Sequence, residues 1–378
     1  MAVTVDLTAE HDEIRSVARR FLEKEYPSAR LRALAGSAAG WEPADWEQIA
    51  ELGWPAISLP ETYGGVGYGM AERCLLLEEM GRVLLPGPFL ASAVLAADLV
   101  ALTATEAQRA TLLPAIGDGS LLATVVAAGD LYAGADATGA ITATNGDGGW
   151  SLSGRGGLVL DAGIAEVLIV VARLAGGVGV FAVGSGTDGV GIRPVDLVDR
   201  TRRVAAVEFS GAGAVRLDAA AGTAAGVAAA LQRGTVSLAA EMVGGAQRCL
   251  DLTLDYLKAR HQFGRPIGSF QALKHRCADL AVAVDAAREA VHLAVDVIDC
   301  RTRADRAPVD AALVAAAAKV AAADAFLLAA NEMIQLHGGI GFTWEHDAHL
   351  YYKRALCSAQ LLGTPVAHRA RLAEALGV

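Results

Sequence analysis

The chain has 378 residues, 53% of them hydrophobic and 20% charged, which suits layered folded cores and excludes a disordered protein. Its net charge of −10 argues against a nucleic-acid surface, which needs clustered Lys and Arg. Only 5% of residues are aromatic, so Ala, Val and Leu must fill the interior.

Met1 to Asp12 has early acids and no basic start ahead of an apolar stretch, so no secretory signal is expected. Thr8 ahead of Ala9-Glu10-His11-Asp12 predicts a helix N-cap, and Ile14, Val17, Ala18 and Phe21 follow at helical spacing. Trp46, Ile49, Ala50 and Leu52 mark a second amphipathic stretch that ends at Gly53. A Gly-rich loop, Tyr63 to Gly69, precedes a helix predicted over Met70 to Val83, and Pro86-Gly87 stops it. Residues 1–117 thus read as an N-terminal α-helical domain.

From 118 to 222 the texture changes to short β-prone runs: Val125-Val126, Trp150 to Leu152, Leu158 to Leu160, Val167 to Val171, Val178 to Val183 and Val204 to Phe209. Asn145-Gly146-Asp147-Gly148-Gly149 is the clearest hairpin signal among them. This predicts a middle β domain. Long helices are predicted again over 224–260, 270–302, 308–337 and 345–375, giving a C-terminal four-helix bundle over 223–378. The run Ala311 to Ala330 is interrupted by Lys319 and Asp324, which fits a buried helix of a soluble protein better than a membrane span. Cys74, Cys249, Cys277, Cys300 and Cys357 form no Cys-x-x-Cys pair and read as reduced, mostly buried thiols in a cytoplasmic protein.

Two blocks carry chemistry. One is Arg260-His261-Gln262-Phe263-Gly264-Arg265-Pro266-Ile267-Gly268-Ser269-Phe270-Gln271; the other is Gln335-Leu336-His337-Gly338-Gly339-Ile340-Gly341-Phe342. An arginine forks onto phosphate oxygens at any working pH, Gln262 can donate to the same anion, and paired glycines let backbone approach a nucleotide. Alone, Arg260 would be an ordinary helix-end cation and Gly338-Gly339 a helix C-cap. Together, and with Leu52 to Gly65 upstream, they resemble the acyl-CoA dehydrogenase family over nearly the whole chain. The resemblance implies an α+β fold of three parts: an N-terminal helical domain, a middle β-barrel-like domain and a C-terminal four-helix bundle. It also implies FAD lying across a subunit interface. Arg260, Gln262, Phe263, Gln271, Gln335, Gly338 and Gly339 fall on the positions that reach the pyrophosphate and adenine end of a neighbour's FAD.

The other half of the family's site is missing from the sequence. The resemblance implies a glutamate that removes the α-proton of an acyl-CoA thioester on the way to a trans-2-enoyl-CoA. Leu362, in Leu361-Leu362-Gly363-Thr364, stands at its commonest position, and Gly234 at the alternative one. Glu241, seven residues or about two helical turns beyond Gly234, is the nearest acid. It is either a substitute base or a carboxylate in an interhelical contact. The ring-facing elements are replaced too, by Ala127 to Asp136 and by Leu158-Val159-Leu160. These losses imply a non-catalytic subunit that completes the FAD site of a sister acyl-CoA dehydrogenase. The resemblance extends to the α2β2 heterotetramers of actinobacteria that degrade steroid side chains, with an electron-transfer flavoprotein as acceptor and neither nucleic acid nor membrane as partner. Rival readings are a self-sufficient homotetramer using Glu241, a flavin-free scaffold subunit, and a flavin oxidase or monooxygenase. His275, His337, His346 and His349 do not make a metal set and read as helix-surface or interface residues. Glu345 and Asp347 serve the start of the last helix, and Lys353-Arg354 reads as a subunit contact. No Gly-rich phosphate loop places the CoA.

Overall fold

The computed structural model describes residues 8–127, 141–217, 222–300 and 310–378. Thr8 is the extended N-cap of α1 (Ala9–Glu25), with Glu10 and Asp12 in its first turn. α2 (Ser28–Gly36) and α3 (Pro43–Glu51) follow. Every residue of α4 (Met70–Arg82) is buried. Its charged side chains are therefore paired. Glu72 receives His11 Nε2 at 2.8 Å, and Glu79 takes a bidentate fork from Arg19 at 2.7 and 2.8 Å. Phe89–Ala96 is wound as a π-helix that runs into α5 (Ala97–Thr103), and α6 (Glu106–Gly117) completes this part.

Among the described residues the sheet strands are β1 (Ala123–Ala127), β2 (Ile141–Gly146), β3 (Gly149–Leu160), β4 (Val167–Leu174), β5 (Gly177–Gly184), β6 (Val190–Val195) and β7 (Val204–Arg216). Their order is β1-β4-β2-β3-β7-β5, with β4 also pairing β5 and β6 lying on β7, so the sheet curls back on itself. The predicted hairpin turn closes β2 on β3 with Gly146 opposite Gly149. The runs Trp150 to Leu152 and Leu158 to Leu160 belong to one strand, bent by register shifts against β7. Alternation along the strands divides two cores. Val126, Val159 and Val170 face the sheet's own interior, while Val125, Leu160 and Ile169 face the helices.

The C-terminal part consists of α7 (Thr223–Ala259), a hairpin of β8 (His261–Gln262) and β9 (Arg265–Pro266), α8 (Gln271–Ile298) and α9 (Ala311–His337), then α10 (Ala348–Gln360) and α11 (Pro365–Ala375). The expected single helix over 345–375 is two. Leu362 and Gly363 take φ of 56° and 101°, and Pro365 opens α11. Lys319, fully buried in α9, donates to the carbonyls of Ser358 and Ala359, each at 3.0 Å, and so closes the end of α10. The expectation that Lys353-Arg354 forms a subunit contact does not hold for Arg354, which is 1% exposed inside the chain.

Two glycines let α4 and α7 touch backbone to backbone. A Cβ on Gly81 would overlap the carbonyl of Glu241, and one on Gly244 the carbonyl of Glu78. Overpacked cores lose about 1–3 kcal/mol. Gly244→Ala should therefore lower Tm by several degrees in thermal unfolding, and an unchanged Tm would show that the two helices can part at no cost.

Candidate functional site

The two sequence blocks sit on three element ends. α7 stops at Arg260, whose amide donates to the Tyr256 carbonyl at 2.8 Å. The hairpin then turns through Phe263 and Gly264 at φ of 54° and 76°, the pair of positive values that a two-residue I′ turn requires. A phenylalanine held there is strained, and its ring is 88% exposed. Gln271 is the first residue of α8 and is exposed. Gln335, Gly338 and Gly339 lie exposed at the end of α9, where a Cβ on either glycine would meet nothing within 4 Å. A small apolar cluster of Leu257, Cys277 and Leu336, apart from the main core, binds the three ends together.

These residues fit the tail of a dinucleotide. Arg260 is exposed and has no ion-pair partner among the described residues. The other hairpin cation, Arg265, lies 4.1 Å over the Phe270 ring. An exposed guanidinium, exposed amide side chains and open glycine backbone are the kinds of group that can donate to a phosphate and an adenine.

The two base positions meet at one point in the interior. A Cβ on Gly234 would overlap Leu95 Cδ2 and lie 3.6 Å from Leu362 Cδ1. Leu95 comes from the π-helical segment and is 4% exposed; Leu362 is 8% exposed. The cavity beside Leu95, also lined by Leu99, Val125, Val171 and Ala230, measures about 10 Å³, at the lower limit for a single water. Neither leucine carries an ionisable group, and a larger residue at 234 would require the Leu95 side chain to move aside.

Glu241 does not stand free. Both its oxygens accept from Arg202, at 2.7 and 2.9 Å, and Oε1 also accepts from Arg354 Nε at 3.1 Å. Burial raises its pKa, but the two guanidiniums outweigh that and hold it below the ordinary glutamate value. Arg354 continues to Thr201 and to the carbonyl of Leu85, so the network ties the β6–β7 loop, α7, α10 and the segment after α4. A carboxylate held ionised by two cations is a poor proton acceptor, which argues against the substitute-base reading of Glu241.

Among the described residues, the positions expected to face the ring carry apolar side chains. Val159 and Leu160 are 1% and 2% exposed, and Leu158 packs at the core's edge. Of the segment Ala127 to Asp136, Ala127 is buried and the rest lies outside the described residues. The described residues here do not fit a flavin ring. Sequence reasoning missed Asp161, next along from Leu160. It is 8% exposed, has φ of 51°, makes no side-chain hydrogen bond among the described residues, and burial lifts its pKa to about 7 against the pull of Arg202, Arg354 and Arg203. The histidines form no metal site among the described residues, and His337, expected at a helix surface or an interface, is 3% exposed within the chain.

Residues 8–120 match the family described as Acyl-CoA dehydrogenase, N-terminal domain, and residues 222–377 the Acyl-CoA dehydrogenase, C-terminal domain. The chain is 36% identical to Acyl-CoA dehydrogenase IpdE2 of Mycobacterium tuberculosis over 94% of each protein. Among solved structures it is similar to the Tcur3481-Tcur3483 steroid ACAD, at 31% identity and TM-score 0.86 over 97% of this chain and 98% of that one. It is also similar to a chain of the ChsE4-ChsE5 complex from Mycobacterium tuberculosis, at 26% identity and TM-score 0.86 over 100% and 99%.

Glu241→Gln would remove the carboxylate that Arg202 and Arg354 share, at a cost of about 3–5 kcal/mol in urea unfolding; a variant as stable as the parent would free Glu241 for another role. Asp161 has the opposite sign. Its folded pKa lies above its unfolded one, so between about pH 4 and pH 7 the native state holds the extra proton and stability falls as pH rises. Asp161→Asn, which keeps a residue tolerant of positive φ, should raise Tm at pH 8 and do so progressively less toward pH 4. A Tm gain independent of pH would contradict this.

Proposed function

The chain belongs to the acyl-CoA dehydrogenase family, and on that premise we propose that it is the non-catalytic chain of a heteromeric acyl-CoA dehydrogenase, completing the FAD site of a sister chain. The family's enzymes are oxidoreductases with FAD as cofactor. When bound, FAD supplies the acceptor for the β-hydride as an acyl-CoA becomes a trans-2-enoyl-CoA. The reaction also needs a dry, correctly placed base for the thioester α-proton.

The observation that carries the reading is the hydrocarbon contact of Leu95, Gly234 and Leu362, which fills both base positions at once. Glu241 is held ionised by Arg202 and Arg354, and neither of the two base positions carries a group that could take the proton. The outward-facing residues support the complementary role. Arg260 and Gln262 would hold the pyrophosphate, and Phe263, Gln271, Gln335, Gly338 and Gly339 the adenine end, of FAD whose ring and base belong to the sister. The likeness to ChsE4-ChsE5 and Tcur3481-Tcur3483 supports an α2β2 heterotetramer, and the second of these supports a steroid side-chain acyl-CoA as substrate. The reading includes an electron-transfer flavoprotein as acceptor and a cytoplasmic setting.

Expressed alone, the chain should be colourless and inactive in dye-linked dehydrogenation. Co-expressed with its sister, it should purify as a yellow complex, and Arg260→Ala should lower FAD retention while the complex stays assembled. A yellow, active homotetramer of this chain alone would refute the reading. An Arg260→Ala complex with unchanged flavin content would favour a scaffold subunit instead.

A further inference from the structure

Arg260 and Gly338-Gly339 stand on different helices, yet both must meet one ligand, so something has to set their relative position. Tyr256 lies one turn before Arg260 on α7, and His337 immediately precedes Gly338 on α9. Their rings stack at 4.4 Å with 29° between planes. On its other side His337 meets the His346 ring at 4.3 Å. The His337 ring cannot rotate freely, because it is 3% exposed and Nδ1 lies 2.7 Å from the Met333 carbonyl, to which it donates. His346 is anchored in turn: the Ala348 amide donates to its Nδ1 at 3.1 Å, and the neighbouring Asp347 pairs with Arg32 of α2 at 2.6 Å. Arg32 also donates to the Trp344 carbonyl. Three rings therefore bridge the end of α7, the end of α9 and the entry to α10.

We infer that Tyr256 and His337 are positioning residues: their ring stack sets the distance between the Arg260 hairpin and the Gly338-Gly339 backbone, and so the affinity for the FAD tail. This rests on the reading that the chain lends those groups to a sister's FAD. Leu257, Cys277 and Leu336 glue the same ends without direction, whereas stacked planar rings fix both spacing and tilt. Neither ring touches FAD in this account; each acts through the backbone that follows it.

The test uses the intact heteromer, with FAD release on dilution followed by flavin fluorescence, and with complex size and Tm measured alongside. His337→Ala and Tyr256→Leu should each weaken FAD binding about three- to tenfold. Size should be unchanged and Tm little altered. His337→Phe, which keeps a stacking ring, should stay within about twofold of the parent. The double variant should be no weaker than the weaker single. If Arg260→Ala releases FAD but His337→Ala does not, the inference falls and the wider reading stands. If His337→Phe is as weak as His337→Ala, the stack is not the agent and the inference falls. If Arg260→Ala itself has no effect, the wider reading fails and this inference with it.

Discussion

Leu95 pressed against the bare α-carbon of Gly234, with Leu362 alongside, is the constraint on which the rest depends. A catalytic carboxylate needs volume, a proton path and a neighbour that tunes its pKa. At this point the chain supplies close-packed hydrocarbon instead. Leucine at 362 and glycine at 234 offer no carboxylate, and a side chain at 234 would have to displace Leu95. Leu95 belongs to the π-helical segment Phe89–Ala96, all of whose residues are buried.

Charge is distributed on the same plan. Inside, Glu241, Arg202 and Arg354 satisfy one another, and their bonds join the sheet part to helices on either side. Such a closed network specifies how the parts dock more than it adds net stability. Outside, at the ends of α7 and α9, Arg260 has no ion pair among the described residues, Phe263 is strained and exposed, and two glycines present open backbone. The interior charges of this network are thus paired, while the groups at the helix ends face outward.

Much of this was legible in local sequence because the signals are local. The Arg260 to Gln271 block, the Gly338-Gly339 pair, the β2–β3 turn and the capped start of α1 all reside in a few consecutive residues. The break at Leu361 to Thr364 was also available, in Gly363-Thr364-Pro365, but a helical pattern on both sides masked it. What stayed hidden depends on partners far along the chain. Glu241 meets Arg202 and Arg354 across 39 and 113 residues, and no periodicity couples them. Arg354 reads as a surface cation until α4 and the β6–β7 loop close around it. The contact of Leu95 with Gly234 spans 139 residues, and the π-helical winding of its segment has no propensity signal of its own. Asp161 becomes notable only when burial leaves its carboxyl without a hydrogen-bond partner among the described residues.

The most direct measurement is the flavin count of the purified heteromer, from the visible absorbance of released FAD against quantitative amino-acid analysis. The account predicts one FAD for every two acyl-CoA dehydrogenase chains, since each site draws its tail contacts from this chain and its ring and base from the other. One FAD per chain would mean that this polypeptide also seats a ring of its own, and would contradict the account.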